Sequence, residues 1–157
     1  MRSAAAVIAT GFGVGLSPVM PGTCASLAAL PVAWAIRAEW GATGLAAAFA
    51  LIFVVGGWAA GIATKARGVE DPGWVVVDEI AGQWLVLVAA PLDPVAWALA
   101  FVLFRVFDIW KPWPVGWADR HVEGGFGIML DDVLAAGYAL LVLMAVLSIG
   151  GAIGVHG

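Results

Sequence analysis

GLAAAFALIFVVGGWAAGIAT, residues 44–64, carries no charged side chain from Gly44 to Thr64. At about 1.5 Å of rise per residue, a helix of that length crosses a hydrocarbon core of about 30 Å. The surrounding chain has the same character: 63% of residues are hydrophobic, 11% are charged, and the mean hydropathy is +1.02. Soluble domains run at roughly 45–50% apolar and 25% charged. So little polar surface cannot coat a globule, so lipid is the expected solvent. The 9 Trp and 7 Phe suit this setting, since amphipathic rings collect at membrane interfaces. A net charge of −4 without a basic, aromatic-interleaved patch gives nucleic-acid binding no support. Cys24 is the sole cysteine, so no intramolecular disulfide forms.

Outward from this stretch, the pattern predicts an all-α, polytopic membrane bundle of about four to five apolar helices, in a single domain over residues 1–157. The helices fall at 25–38, 42–64, 75–90, 95–110 and from near Asp131 to about Ile149. Those at 25–38 and 95–110 are short for a span, which fits a re-entrant segment or a thinned bilayer. Residues 10–23, 65–74 and 111–130 read as loops, the first rich in Gly and Pro. Ala4 to Ala9 is apolar but soon broken by Gly11, Gly13 and Gly15, a weak match to a signal peptide. Gly57 and Gly61 form a GxxxG pair, which permits close helix contact but equally fits a Gly-rich stretch with no role in an oligomer.

Against this background the charges stand out. Of the 11 acidic and 7 basic residues, seven fall in three short clusters within or beside apolar runs: Asp78-Glu79, Arg105-x-x-Asp108-x-x-Lys111, and Asp131-Asp132. Ionisable groups at a membrane are costly and mark function by default. With five crossings, Arg2, Lys65, Arg67, Arg105, Lys111 and Arg120 lie on one side and Arg37 on the other, which makes the first side cytoplasmic. The same threading brings the Gly/Pro loop and all three clusters to that side, so one site at the cytoplasmic face is expected.

Each cluster has an ordinary reading beside the functional one. Asp78-Glu79 is a hard-metal ligand pair, or first-turn acids complementing a helix dipole. Arg105, Asp108 and Lys111, at i, i+3 spacing, are phosphate-binding cations around an acid, or a self-neutralising ladder. Asp131-Asp132 opens the last helix as ligands, or as N-cap and first-turn acid. Ser17, Thr23 and Ser26 flank Pro18, Pro21 and Gly22 in a plausible phosphate cradle, or in an ordinary helix entry capped by Thr23. His121 reads as a solvated loop residue and His156 as tail.

Four blocks, GFGVGLSPVMPGTCAS (11–26), VVVDEIAGQW (75–84), FRVFDIWKPWP (104–114) and DRHVEGGFGIMLDDVLAAG (119–137), together resemble the bacterial phosphatidylglycerophosphatase A family. The resemblance implies a Mg²⁺-dependent phosphatase of the inner membrane, multi-pass, that converts phosphatidylglycerophosphate to phosphatidylglycerol. The family's Asp-Glu, Asp-x-x-Lys-Pro and Asp-Asp elements match Asp78-Glu79, Asp108 to Pro112 and Asp131-Asp132, and for that chemistry Asp78, Glu79, Asp131 and Asp132 are expected to hold one or two Mg²⁺, with Asp108 as a further ligand or general base. Arg105 and Lys111, with Ser17, Thr23 and Ser26, would bind the phosphates. A phosphatidyl transferase is disfavoured because no D-x-x-D-G-x-x-A-R run occurs, and a haloacid-dehalogenase-type phosphatase because no D-x-D-x-[TV] follows a strand-like segment. The non-enzymatic alternative, an ion or proton transporter, needs acids near mid-membrane rather than at one face.

Overall fold

The computed structural model describes residues 3–70 and 72–153; Arg2 and His156 lie outside them. Among the described residues all regular structure is helical: α1 (Ala4–Ala9), α2 (Pro21–Arg67), α3 (Val77–Val88), α4 (Pro94–Trp110), α5 (Val115–His121) and α6 (Gly124–Ile153), with a 3₁₀ turn at Val14–Leu16.

Helix α2 is two segments. Gly41, at φ 67° and ψ −165°, leaves the helical region, and three contacts show that the chain doubles back there. The Trp84 indole Nε1 donates to the Ala29 carbonyl at 3.1 Å, and Arg37 donates to the Ala90 carbonyl at 3.4 Å. The first half of α2 therefore runs alongside and parallel to α3. In the second half, Gly56 returns to the start of α3, where a Cβ on it would lie 2.8 Å from Val77 Cγ2. The division into helices at 25–38 and 42–64 thus holds.

Two boundaries differ from expectation. Helix α2 starts at Pro21 after Met20, and no side chain caps it, so Thr23 is not the cap. Proline suits that first position because its missing N–H would have no partner there. Helix α6 starts at Gly124, so Asp131 and Asp132 lie about two turns inside it, and the capping reading fails. The expected loop at 111–130 is instead α5 and the opening of α6. Asp93 caps α4 by accepting from the Ala96 N–H at 2.8 Å, with Pro94 at the first helical position.

The helices Pro21–Arg67 and Gly124–Gly151 are long and apolar enough to cross a membrane. Helix α3, of 12 residues, falls short of the roughly 17–25 residues of a span and α4, of 17, only reaches its lower limit, so the expected bundle of about four to five apolar helices has two of clear membrane length among the described residues. Small residues dominate the packing: Ala33, Ala100, Ala135, Ala136 and Ala139 are fully buried between α2, α3, α4 and α6. Where hydrocarbon surrounds the bundle, close backbone approach replaces hydrophobic drive. The Gly57/Gly61 pair serves this purpose within the chain, facing Gly125 of α6. A Cβ at Gly125 would strike the Gly57 carbonyl oxygen and lie 2.6 Å from the Gly61 nitrogen. Gly125→Ala should therefore destabilise the protein by about 2 kcal/mol, since backbone atoms cannot step aside. An unchanged midpoint in denaturant titration of the detergent-solubilised protein would count against this contact.

Candidate active site

Asp78 and Glu79 occupy the first turn of α3, Arg105 and Asp108 the last turns of α4, Lys111 its C-cap, and Asp131 and Asp132 the third turn of α6. All of these residues line one cleft. Its volume of about 270 Å³ lies near the lower end of the roughly 300–1,000 Å³ of small-molecule sites, room for a headgroup but not for acyl chains.

Glycines bring the elements this close. A Cβ on Gly82 would lie 2.6 Å from the Phe104 ring and 3.2 Å from the Asp132 carbonyl, so its absence lets α4 and α6 close on α3. At Gly22 a Cβ would collide with Glu79 Oε1 and stand 3.2 Å from Arg105 Nη2. The backbone at the start of α2 therefore rests on the Glu79–Arg105 pair. Gly22→Ala should lower kcat/KM by about 10–100-fold, as loss of a ligand-supporting contact typically does. Phosphate-release kinetics on the folded variant check this, and parent-like activity would remove Gly22 from the site.

Within the cleft, Asp78, Glu79 and Asp132 each offer an oxygen, all within 4.8 Å of one another. The Glu79 Oε2 and Asp132 Oδ2 atoms are buried and accept no hydrogen bond from the described residues. Crowded, buried carboxylate oxygens are unfavourable unless a cation or proton joins them. Three hard oxygen donors in this setting could hold a cation such as Mg²⁺. Asp131, also expected among the ligands, stands outside this group and accepts from Lys111 Nζ at 2.8 Å.

The expected ladder on α4 forms only in part. Arg105 pairs with Asp108 and lies 4.0 Å from Glu79 Oε1. Lys111 takes a left-handed backbone (φ 52°) that ends the helix, and turns to Asp119 at 2.6 Å and Asp131 at 2.8 Å. Burial alone would lower the Lys111 pKa, but the bonds to Asp119 and Asp131 outweigh it and raise the pKa above the usual value. The ammonium is thus permanently charged at physiological pH, with two carboxylates as its partners. Asp119 heads the last of the four blocks, but nothing in the sequence tied it to Lys111, which it reaches across a helix break rather than at helical spacing.

Ser17, Thr23 and Ser26 do not line the cleft. The Ser17 hydroxyl donates to the Val19 carbonyl at 3.0 Å and lies 3.6 Å from Cys24 Sγ. Thr23 lines a neighbouring apolar groove, and Ser26 is fully buried with no partner for Oγ among the described residues. Gln83, one turn below Glu79 and fully buried, likewise has no hydrogen bond to its side-chain amide among the described residues. His121 ends α5, exposed, its Nδ1 2.8 Å from the Trp117 carbonyl, in keeping with no chemical role.

The family model for phosphatidylglycerophosphatase A matches residues 7–147, a span that contains every residue of the cleft. The chain belongs to the phosphatidylglycerophosphatase A family. It is 43% identical over 132 residues to phosphatidylglycerophosphatase A of Escherichia coli, covering 82% of this chain and 75% of the relative. To phosphatidylglycerophosphatase A of Haemophilus influenzae it is also 43% identical, over 89% of this chain and 86% of the relative. A Bacteroides thetaiotaomicron protein, provisionally named phosphatidylinositol-3-phosphatase, is 41% identical over 87% of this chain and 89% of its own length. No solved structure matches. As a member of the phosphatidylglycerophosphatase A family the chain is a phosphatase, and its membrane-length helices accord with action on lipid.

Proposed function

We propose that the chain is a Mg²⁺-dependent lipid phosphatase that hydrolyses the terminal phosphomonoester of phosphatidylglycerophosphate, yielding phosphatidylglycerol and phosphate at the cytoplasmic face of the bacterial inner membrane. The observation that carries this reading is the convergence of three charged clusters, far apart in sequence, on one headgroup-sized cleft. The names of the Escherichia coli and Haemophilus influenzae relatives supply the substrate.

Phosphoryl transfer needs placement and charge neutralisation more than covalent help. Asp78, Glu79 and Asp132 would hold the metal. When bound, Mg²⁺ supplies Lewis-acid stabilisation of the charge on the phosphoryl oxygens. Arg105 offers guanidinium protons to the phosphate beyond those given to Asp108, and Lys111 has a third proton after Asp119 and Asp131 take two. Asp131 and Asp119 act by aiming Lys111. Asp108, a carboxylate outside the ligand trio, accepts the proton of the attacking water. The water oxygen forms the new P–O bond as the bond to the glycerol oxygen breaks, and that oxygen takes a proton from solvent at the open cleft while Asp108 returns the proton it accepted to solvent.

Exposed Trp110, Trp113 and Trp117 stand beside Lys111 and Arg120 in sequence, the company of aromatic and basic residues expected at a headgroup interface. The excess of Lys and Arg on the same side of the threading supports a cytoplasmic cleft. A phosphoinositide is the second substrate reading, because the Bacteroides relative's name points there. Purified protein assayed in detergent with phosphatidylglycerophosphate and phosphatidylinositol 3-phosphate, with Mg²⁺ or excess chelator, tests both readings. Chelator-sensitive phosphate release from the first is expected. Release from neither lipid, or release indifferent to chelator, would overturn the proposal.

A further inference from the structure

Beside the cleft, the start of α2 and the outer face of α4 enclose an open groove of about 450 Å³ to which nothing above gives a use. We propose that this groove seats the diacylglycerol end of the lipid substrate, with its phosphodiester at Thr23 and Arg105 and an acyl chain along Phe101, Val102 and Val106. The inference rests on the lipid-phosphatase reading.

Continuity with the cleft commits the groove to this occupant. Arg105 and Ile109 line both hollows, so the two meet at the guanidinium. Apart from Thr23 and Arg105 the groove's lining is apolar, and both polar residues lie where it joins the cleft or the α2 entry. From Ile109 back to Phe101 the helix runs about 12 Å away from the cleft. That is the direction in which α4 leaves the charged end for its wholly apolar stretch at 94–104. A lipid whose monoester lies among the carboxylates must send its tail the same way. The cleft itself has no room for that tail, whereas the groove does. Thr23, expected at the reacting phosphate, sits instead where the ester linkage nearer the tail would pass. Arg105 at the junction faces an anion on either side.

Two measurements decide the matter. Val102→Trp and Val106→Trp fill the groove with indole. Each should lower the ratio of kcat/KM for long-chain phosphatidylglycerophosphate to that for its dibutyryl analogue by tenfold or more. Val95→Trp, on the same helix and 76% exposed but outside the groove, should keep the parent ratio within twofold. A parent-like ratio in both groove variants overturns the proposal. Should those variants not fold, the parent protein still answers through a phosphatidylglycerophosphate analogue carrying a diazirine in one acyl chain. Cross-links should concentrate on residues 101–110. Equal labelling of the exposed face of α6 at Leu141 and Met144 would mean that bulk lipid merely coats α4, and the proposal falls. Failure of the parent to release phosphate from any lipid would sink the functional reading separately, while the labelling pattern still reports on the groove.

Discussion

Asp132→Asn is expected to lower phosphate release by roughly 10³-fold or more, about 4 kcal/mol in transition-state terms, while the metal-free protein gains stability. The two effects have one cause. Asp132 is 2% exposed, its Oδ2 accepts no hydrogen bond from the described residues, and Asp78 and Glu79 bring like charge within 4.8 Å. An amide of the same shape removes one charge from that crowd. Relief of a functional strain of this kind typically adds about 0.5–2 kcal/mol. It also removes a hard oxygen donor, so Mg²⁺ should raise the unfolding midpoint of the parent, by mass action on the folded state, and fail to raise that of the variant. Unfolding curves with and without Mg²⁺, beside the activity assay, separate these effects. Activity within tenfold of the parent would take Asp132 out of the ligand set.

Replacing Arg105 should have the next largest effect. Arg105→Ala is expected to reduce kcat/KM by about 10²–10³-fold, and Arg105→Lys to recover only a small part, because a single ammonium cannot reproduce a planar fork of donors. The residue pairs with Asp108 and faces Glu79, so alanine also strands Asp108, which is 7% exposed. Breaking one side of a buried pair costs about 3–5 kcal/mol, whereas removing both sides is often near neutral. Arg105→Ala combined with Asp108→Ala should thus regain stability without regaining activity. Recovery of both would assign the pair to structure alone and end the phosphate-binding reading.

Such predictions draw on the sequence to very different degrees. That the chain is helical and lipid-suited was legible from residues 44–64 and the scarcity of charge, because hydrophobic run length and the cost of ionisable groups are local properties. The clustering of Asp78-Glu79, Arg105 to Lys111 and Asp131-Asp132 was equally visible. So was the break between the helices of α2, although Gly41 as its seat was not named. Two features misled. Adjacent acids after a Gly-rich stretch resembled a helix start, yet Gly124 and Gly125 belong to the helix, Gly125 because only it fits between Gly57 and Gly61. The i, i+3 spacing of Asp108 and Lys111 promised a pair, yet the left-handed backbone at Lys111 turns its side chain elsewhere.

Residue order alone was enough for the all-helical class, the membrane-suited composition, the family and the set of charged residues at stake. The class and the composition follow from residue type and short-range period, and the family from four long blocks in order, none of which needs knowledge of spatial neighbours. How those residues divide emerged from the packing of the helices: Asp78, Glu79 and Asp132 together, Asp131 and Asp119 on Lys111, Arg105 between Asp108 and Glu79, and Thr23 in the groove. That division depends on how far α3, α4 and α6 approach one another, which Gly22, Gly82 and Gly125 permit by lacking a Cβ. A missing atom leaves no periodic trace in a sequence, and its consequence appears only where two backbones meet.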